Sequence, residues 1–286
     1  MTASGAVMRG QASLVRLARR ELPPAIADRW AGLLRPSFWL RTADDDEPVV
    51  GQLGGVPVLP DGMAWPHWDG YGPLAFVAEI DCGELPSDTL SLPRTGTLSF
   101  FVHNDLPVGP GGPEEPAASR VVYVPAGVLA TERDAPAGID PYDLVELTGE
   151  LHTTGPDLDS PVLTEALADL GREDRAFLAD RRNTYAFKQG VWELAPPPRH
   201  WVGGHALPIQ TAVELDIAHA QLGGAVSYDD PALAREAGRW TLLAQFDSDG
   251  AARMMWGDCG TLYWLIRPAD LAARRFEAAA FTWHCT

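Results

Sequence analysis

The chain has 286 residues, 46% hydrophobic and 21% charged, the balance of a globular protein with a large core rather than of a disordered chain. Its 22 Lys and Arg against 39 Asp and Glu leave a net charge of -17. That field repels phosphate backbones and anionic lipid, so nucleic acid and membranes are excluded as partners while basic proteins and cationic small molecules stay open.

Three cysteines, Cys82, Cys259 and Cys285, make an odd number without C-x-x-C spacing, which fits a reducing compartment. The N-terminal stretch has no apolar signal core, and Arg16, Arg19, Arg20 and Glu21 interrupt the segment after it. A cytoplasmic protein is therefore expected.

In chain order, Leu14, Leu17, Leu22, Ile26, Trp30 and Leu33 recur at helical spacing and predict one or two helices broken near Pro23 and Pro24. This helical lead-in covers 1–35. A short strand is expected over 38–41 and an acidic turn at Asp44, Asp45, Asp46 and Glu47. The run LGGVPVLPDGMAWP from Leu53 to Pro66 suits turns and extended backbone. Strands are expected over 74–81 and 96–103, an exposed Pro/Gly/Glu-rich loop over 105–116, and strands over 120–125 and 142–152. Helices follow between 160 and 182, with Ser160 as N-cap and Pro161 at the first helical position. Then come the Gly-containing loop VGGHALPIQ, a helix over 213–222, and strands over 241–247, 260–266 and 280–284. Helices and strands alternate too irregularly for a doubly wound sheet, which predicts an α+β fold with mixed or antiparallel sheets.

Two stretches repeat one another. FVAEID (Phe76 to Asp81) matches LLAQFD (Leu242 to Asp247), GTLSFFV matches GTLYWLI, and a Gly-Gly pair stands upstream of each. A duplicated strand unit with a pseudo-two-fold relation is the expectation, its copies near 53–103 and 202–267. Strict alternation puts Phe76, Ala78 and Ile80 on one face and Val77, Glu79 and Asp81 on the other; Leu242, Ala244 and Phe246 likewise oppose Leu243, Gln245 and Asp247. Glu79 with Asp81, and Gln245 with Asp247, thus become equivalent polar pairs that a pseudo-two-fold can set around a shared cleft. The competing reading is that each Asp caps its strand through the next turn.

The segments LGGVPVLPDGMAWP, PLAFVAEIDCGELP, LPRTGTLSFFV, GGHALPIQ, LLAQFDSD and MWGDCGTLYWLIRPADLAARRF together resemble the bacterial DUF1963, or YwqG-like, family. The resemblance runs from about Pro36 to the C-terminus and implies one α+β unit over 36–286. It carries no defined activity; some members look like parts of toxin and immunity neighbourhoods, which implies a toxin-neutralising role. Two positions depart from the family pattern: Glu79 where Gln is usual, and His284 where Gln is common. A change of charge at the cleft speaks against a shared enzyme mechanism.

No G-x-S-x-G, H-E-x-x-H, P-loop or G-x-G-x-x-G signature is present, and neither cofactor nor metal is expected. His200 and His205, with His219 further on, lack the helix-face spacing of a zinc pair, and Asp247, Asp249 and Gly250 lack the distal Glu of a calcium loop. Cys82 and Cys259 each follow an Asp, a neighbour that raises a thiol pKa and makes it inert. Trp65, Trp68, Trp201 and Trp256 fall in Gly/Pro-rich loops beside His67, Asp69, Gln210 and Asp258. They read as the lining of a pocket for a cationic or carbohydrate-like ligand, as a hot-spot patch, or as plugs of loops onto the core. Two functions follow: a non-enzymatic, immunity-like module that binds a basic protein partner, or an enzyme or small-ligand binder using Glu79, Asp81, Gln245, Asp247 and Asp258 in an acidic cleft between the units. His205 joins the candidates as a loop histidine.

Overall fold

The computed structural model describes residues 4–86, 90–104 and 118–286. The loop expected over 105–116 lies outside the described residues. Helices α1 (Ser4–Glu21) and α2 (Pro24–Ala31) break at the prolines, because Pro24 lacks an N–H and is tolerated only at the start of a helix. Their apolar faces bury Leu14, Leu17, Ile26 and Trp30 against three further helices, α3 (Pro161–Ala166), α4 (Arg172–Ala179) and α5 (Arg181–Glu193). Ser160 stands at the N-cap of α3 as expected, but its hydroxyl makes no capping bond.

The sheet uses ten strands: β1 (Arg35–Thr42), β2 (Gly51–Leu53), β6 (Ala75–Asp81), β7 (Thr97–Val102), β8 (Ser119–Val124), β10 (Val145–Thr154), β11 (His200–Gly203), β12 (Thr241–Asp247), β13 (Thr261–Ile266) and β14 (Ala280–His284). Two small ribbons add β3 (Val58–Pro60) with β9 (Ala130–Glu132), and β4 (His67–Trp68) with β5 (Gly72–Pro73). Helices α6 (Val213–Gln221), α7 (Pro231–Ala237) and α8 (Pro268–Ala272) complete the α+β fold. The large sheet runs β14-β13-β12-β11-β1-β10-β2-β6-β7-β8 and curls nearly into a barrel. Every ladder in it is antiparallel. No helix among the described residues is long and apolar enough to cross a membrane.

At the centre, β1 pairs with β10 from Arg35↔Thr154 to Thr42↔Leu147. Outward from that pair, one arm runs β2, β6, β7, β8 and the other β11, β12, β13, β14. The arms correspond residue for residue. Gln52↔Glu79 and Leu53↔Ala78 in one match Trp201↔Gln245 and Val202↔Ala244 in the other. In both, the register slips at the same place, between Phe76 and Ala78 and between Leu242 and Ala244.

This bulge corrects the alternation expected from an unbroken pleat. One extra residue turns the strand over, so Val77 and Leu243 enter the inner core, while Phe76 and Leu242 pack on the outer face in clusters of their own. The inner core is continuous across both arms, with Phe100 of β7 against Phe246 of β12 and Trp264 of β13 at ring centroid distances of 5.2 Å.

After β2 and after β11 the chain turns through Gly54-Gly55 and Gly203-Gly204, all four at positive φ between 57° and 72°. A Cβ on Gly54 would stand 2.3 Å from the Asp143 carbonyl oxygen, whereas one on Gly62, at φ +78°, would meet nothing within 4 Å. His200 and Trp201, expected in a loop, stand in β11, since the Gly pair ends a strand that already pairs Trp201 with Trp39. Gly62→Ala is expected to cost about 1 kcal/mol for the left-handed backbone alone, and Gly54→Ala clearly more because the carbonyl must also be displaced; urea unfolding of the two variants measures the difference.

Candidate functional site

Glu79 and Gln245 occupy equivalent positions and perform equivalent tasks. Glu79 Oε2 accepts from the Val58 N–H at 3.2 Å and from the Ser99 hydroxyl at 2.8 Å. Gln245 Oε1 accepts from the Leu207 N–H at 3.0 Å, while its Nε2 donates to the Arg199 carbonyl at 3.2 Å. Val58 and Leu207 each lie four residues past the first glycine of their pair, so each side chain clamps the segment that leaves the Gly-Gly turn. Burial pushes the Glu79 pKa up against the pull of its two donors. The two clamps belong to different arms, with β1, β10 and the apolar inner core between them. They are not brought together around a cleft.

The paired aspartates are also engaged. Asp81 Oδ1 accepts from the Gly83 N–H at 2.8 Å in the turn after β6, the backbone cap that the sequence allowed. Asp247 accepts from the Arg199 N–H at 2.9 Å and the Thr261 hydroxyl at 2.5 Å, with the Arg199 guanidinium 3.7 Å away. Asp249 is bonded by the Ala251 and Ala252 N–H groups and by His200 Nε2 at 3.0 Å, which together hold its carboxyl below the usual range. Burial pushes the Cys82 thiol up to about 12.

A second histidine–carboxylate pair escaped the sequence reading. His284 Nε2 donates to Asp216 at 2.7 Å, and both side chains are at most 1% exposed. In each pair Nδ1 accepts a backbone N–H, from Asp247 to His200 and from Gln210 to His284. A general acid or base must reach its substrate; these two are sealed. They instead pin β11 to the turn after β12, and β14 to α6. Gln210 adds a bond from Nε2 to the Cys285 carbonyl at 2.8 Å. Only residue identity could have signalled Asp216, since an Asp on the buried face of a predicted helix requires a partner.

The aromatic candidates divide. Trp256 is buried and donates to the Asp247 carbonyl, a plug rather than an open face. Trp65 is half-buried, bonded to the Leu74 carbonyl and edge-on to Phe101. His67 lies exposed beside Asp69 at 3.3 Å. His205 is buried, its Nε2 on the Leu33 carbonyl at 2.7 Å, and burial lowers its pKa to about 4. No group of three or more His, Cys, Asp or Glu side chains among the described residues is arranged to hold a metal ion.

What stays open is a surface where the arms meet. The Asp143 N–H bonds the Ala252 carbonyl, Arg253 grips the Asp143 carboxylate at 2.5 and 2.6 Å, and Tyr142 lies edge-on to Trp256. On either side of this seam Leu144 and Met255 are 57% and 61% exposed. Asp140, Glu146 and Asp258 are exposed on the same segments, and Asp44 to Asp46 follow Ala43, whose N–H bonds the Glu146 carbonyl. Two large apolar side chains are thus exposed on segments that also carry exposed carboxylates.

Among known proteins, the family model described as "Domain of unknown function (DUF1963)" matches residues 51–285. No curated protein matches the chain.

The clamp makes a pH-dependent prediction. Burial keeps the Glu79 proton on to higher pH in the folded state than in the unfolded chain, whose carboxyl titrates near 4.5, so wild-type stability falls as pH rises above that value. Glu79→Gln keeps the acceptor for Val58, as Gln245 does for Leu207, without the charge. It is expected to be at least as stable as wild type at pH 8, with the advantage shrinking at pH 5. Glu79→Ala leaves the Val58 N–H unpaired and is expected to lose roughly 1–3 kcal/mol. Urea unfolding at both pH values checks the three proteins.

Proposed function

This chain belongs to the DUF1963 family, a domain of unknown function, and we propose that it is a non-catalytic binding protein that holds a basic protein partner on the acidic surface where its two arms meet. The observation that carries this reading is the exposure of Leu144 and Met255 on two segments joined by the Asp143 to Ala252 bond, with Asp44 to Asp46, Asp140, Glu146 and Asp258 exposed on these or adjoining segments. A few apolar anchors supply binding energy and the surrounding charge steers the encounter.

Supporting it, the side chains that invited a catalytic reading are spent on the fold. Glu79, Gln245, Asp247 and Asp249 hold backbone amides, and His200 and His284 are closed off from solvent. The alternative, an acidic cleft between the units, has less support, since β1 and β10 pair between the arms and the inner core continues from one to the other. Neutralisation of a basic toxin is the form of such binding that the family resemblance implies, and the cytoplasm is its setting. The matching arms we read as two copies of one strand unit about a pseudo-two-fold at β1 and β10, supported by the shared register, bulge, Gly pair and clamp.

The test is affinity capture from the native host with mass spectrometry, comparing wild type with the double variant Leu144→Lys, Met255→Lys. A stoichiometric basic protein is expected on wild type, released at high salt and missing from the variant. Equal capture by both proteins, or none at low salt, contradicts the reading.

A further inference from the structure

Independently of that surface, the outer face at the sheet centre carries a cavity of about 250 Å³. Trp39 of β1, His152 to Thr154 of β10, Trp201 of β11 and the segment from His205 to Leu207 form one side of it, and α1 and α5 form the other. We propose that this cavity is a binding site for a small uncharged molecule of one or two planar rings.

The aromatic wall is a ladder across three adjacent strands. His152 stacks on Trp39 at 4.2 Å and Trp39 on Trp201 at 5.1 Å, each pair within 11° of parallel. Both indole N–H groups are already engaged, Trp39 Nε1 by the Ser37 hydroxyl at 2.9 Å and Trp201 Nε1 by the His205 carbonyl at 3.2 Å. The ladder therefore offers ring surface rather than polar donors, and rings recognise rings by stacked or edge-on contact. From α1, α5 and the two residues after α5 come Gly10, Leu14, Val191, Leu194 and Ala195, none with a polar side-chain atom, and Ser13, whose hydroxyl accepts from the Arg16 guanidinium at 3.0 Å.

Charge sets the ligand class. In a chain of net charge -17, no Asp, Glu, Lys or Arg lines this cavity. Its buried imidazole, His205, stays neutral near pH 7 because burial lowers its pKa to about 4. His152 is tied to Glu150 at 3.1 Å. An ionised group carried into such a site finds no counter-charge, which is costly, whereas an uncharged ring loses nothing. Size sets the limit on rings: a cavity of about 150 Å³ accepts benzene, so this one has room for a fused bicycle but not for a nucleotide. Access runs by the rim, where Leu194 is 40% exposed and His152 is half-buried.

By contrast, the polar hollow on the far side of α5, about 620 Å³ in volume, places Lys188 between Asp157 at 3.4 Å and Asp159 at 3.0 Å. Those charges satisfy one another, and no ligand class follows from them.

Indole and naphthalene are suitable probes, with indole-3-acetate and tryptamine as anionic and cationic counterparts. Titration calorimetry on the full chain is expected to show saturable binding of the neutral probes and at least about tenfold weaker binding of the charged ones. Two-dimensional NMR is expected to shift the Nε1–H signals of Trp39 and Trp201. Val191→Trp, which fills the cavity from a half-buried helix position, is expected to abolish both effects while keeping the wild-type fold by circular dichroism. Should that variant fail to fold, the smaller Val191→Phe takes its place. Absence of neutral-probe binding, equal affinity for the charged probes, or unchanged binding in a folded Val191 variant overturns the proposal.

Discussion

The antiparallel pairing of β1 with β10 is the constraint on which the molecule depends. Neither arm supplies its own inner neighbour: β1 follows the N-terminal helices, and β10 arrives after the whole first arm has been laid down. Only when Arg35 to Thr42 lies along Leu147 to Thr154 do both arms extend from one seam and share a core. Gly149 shows how close the approach is, since a Cβ there would stand 2.3 Å from the Trp39 carbonyl oxygen. The same pairing sets Trp39 beside His152, and the pairing of β1 with β11 on its other edge sets it beside Trp201, so the aromatic ladder of the outer face follows from the register at β1.

Polar residues in this fold hold turns in place. A Gly-Gly turn at positive φ is a weak point, because glycine gives up the most freedom on folding, and the chain beyond it carries backbone groups that need partners. The Glu79 carboxylate and the Gln245 amide each take one such N–H. That they differ in charge yet do the same work fits a structural role, in which an acceptor oxygen is the requirement. The two buried histidine–carboxylate pairs follow the same logic at the ends of β12 and β14. Unpaired, any of these groups would cost about 1–3 kcal/mol; paired, they fix the geometry of the segments beyond the strands.

The legible parts of the fold were those with a repeating signal. The leucine period of α1 and α2, the apolar strands of both arms and the Gly-Gly pairs could all be read from residue spacing. The bulges could not, because a one-residue slip leaves no mark in an apolar run such as Ala75 to Ala78, and it reverses the face of every residue before it. Helix α5 was missed for a related reason: only Thr184 and Phe187 of its thirteen residues are buried, too few for a period. At the site level, the register equivalence of Glu79 and Gln245 has a trace in the spacing of the two strand units, whereas their partners Val58 and Leu207 lie in segments whose return path the sequence does not specify. The acidic surface was legible from composition, whereas the seam was not, since the segments that carry Leu144 and Met255 are joined only through the Asp143 to Ala252 contact.

If β1 and β10 join the arms into one structural unit, stability must be shared between them. Native-state hydrogen exchange of wild type and Gly149→Ala measures this most directly. Amides in β6, β7, β12 and β13 are expected to exchange with one common opening free energy in wild type, and to lose the same amount in the variant. Exchange of one arm at a distinctly lower free energy, or a loss confined to one arm in Gly149→Ala, would contradict the account.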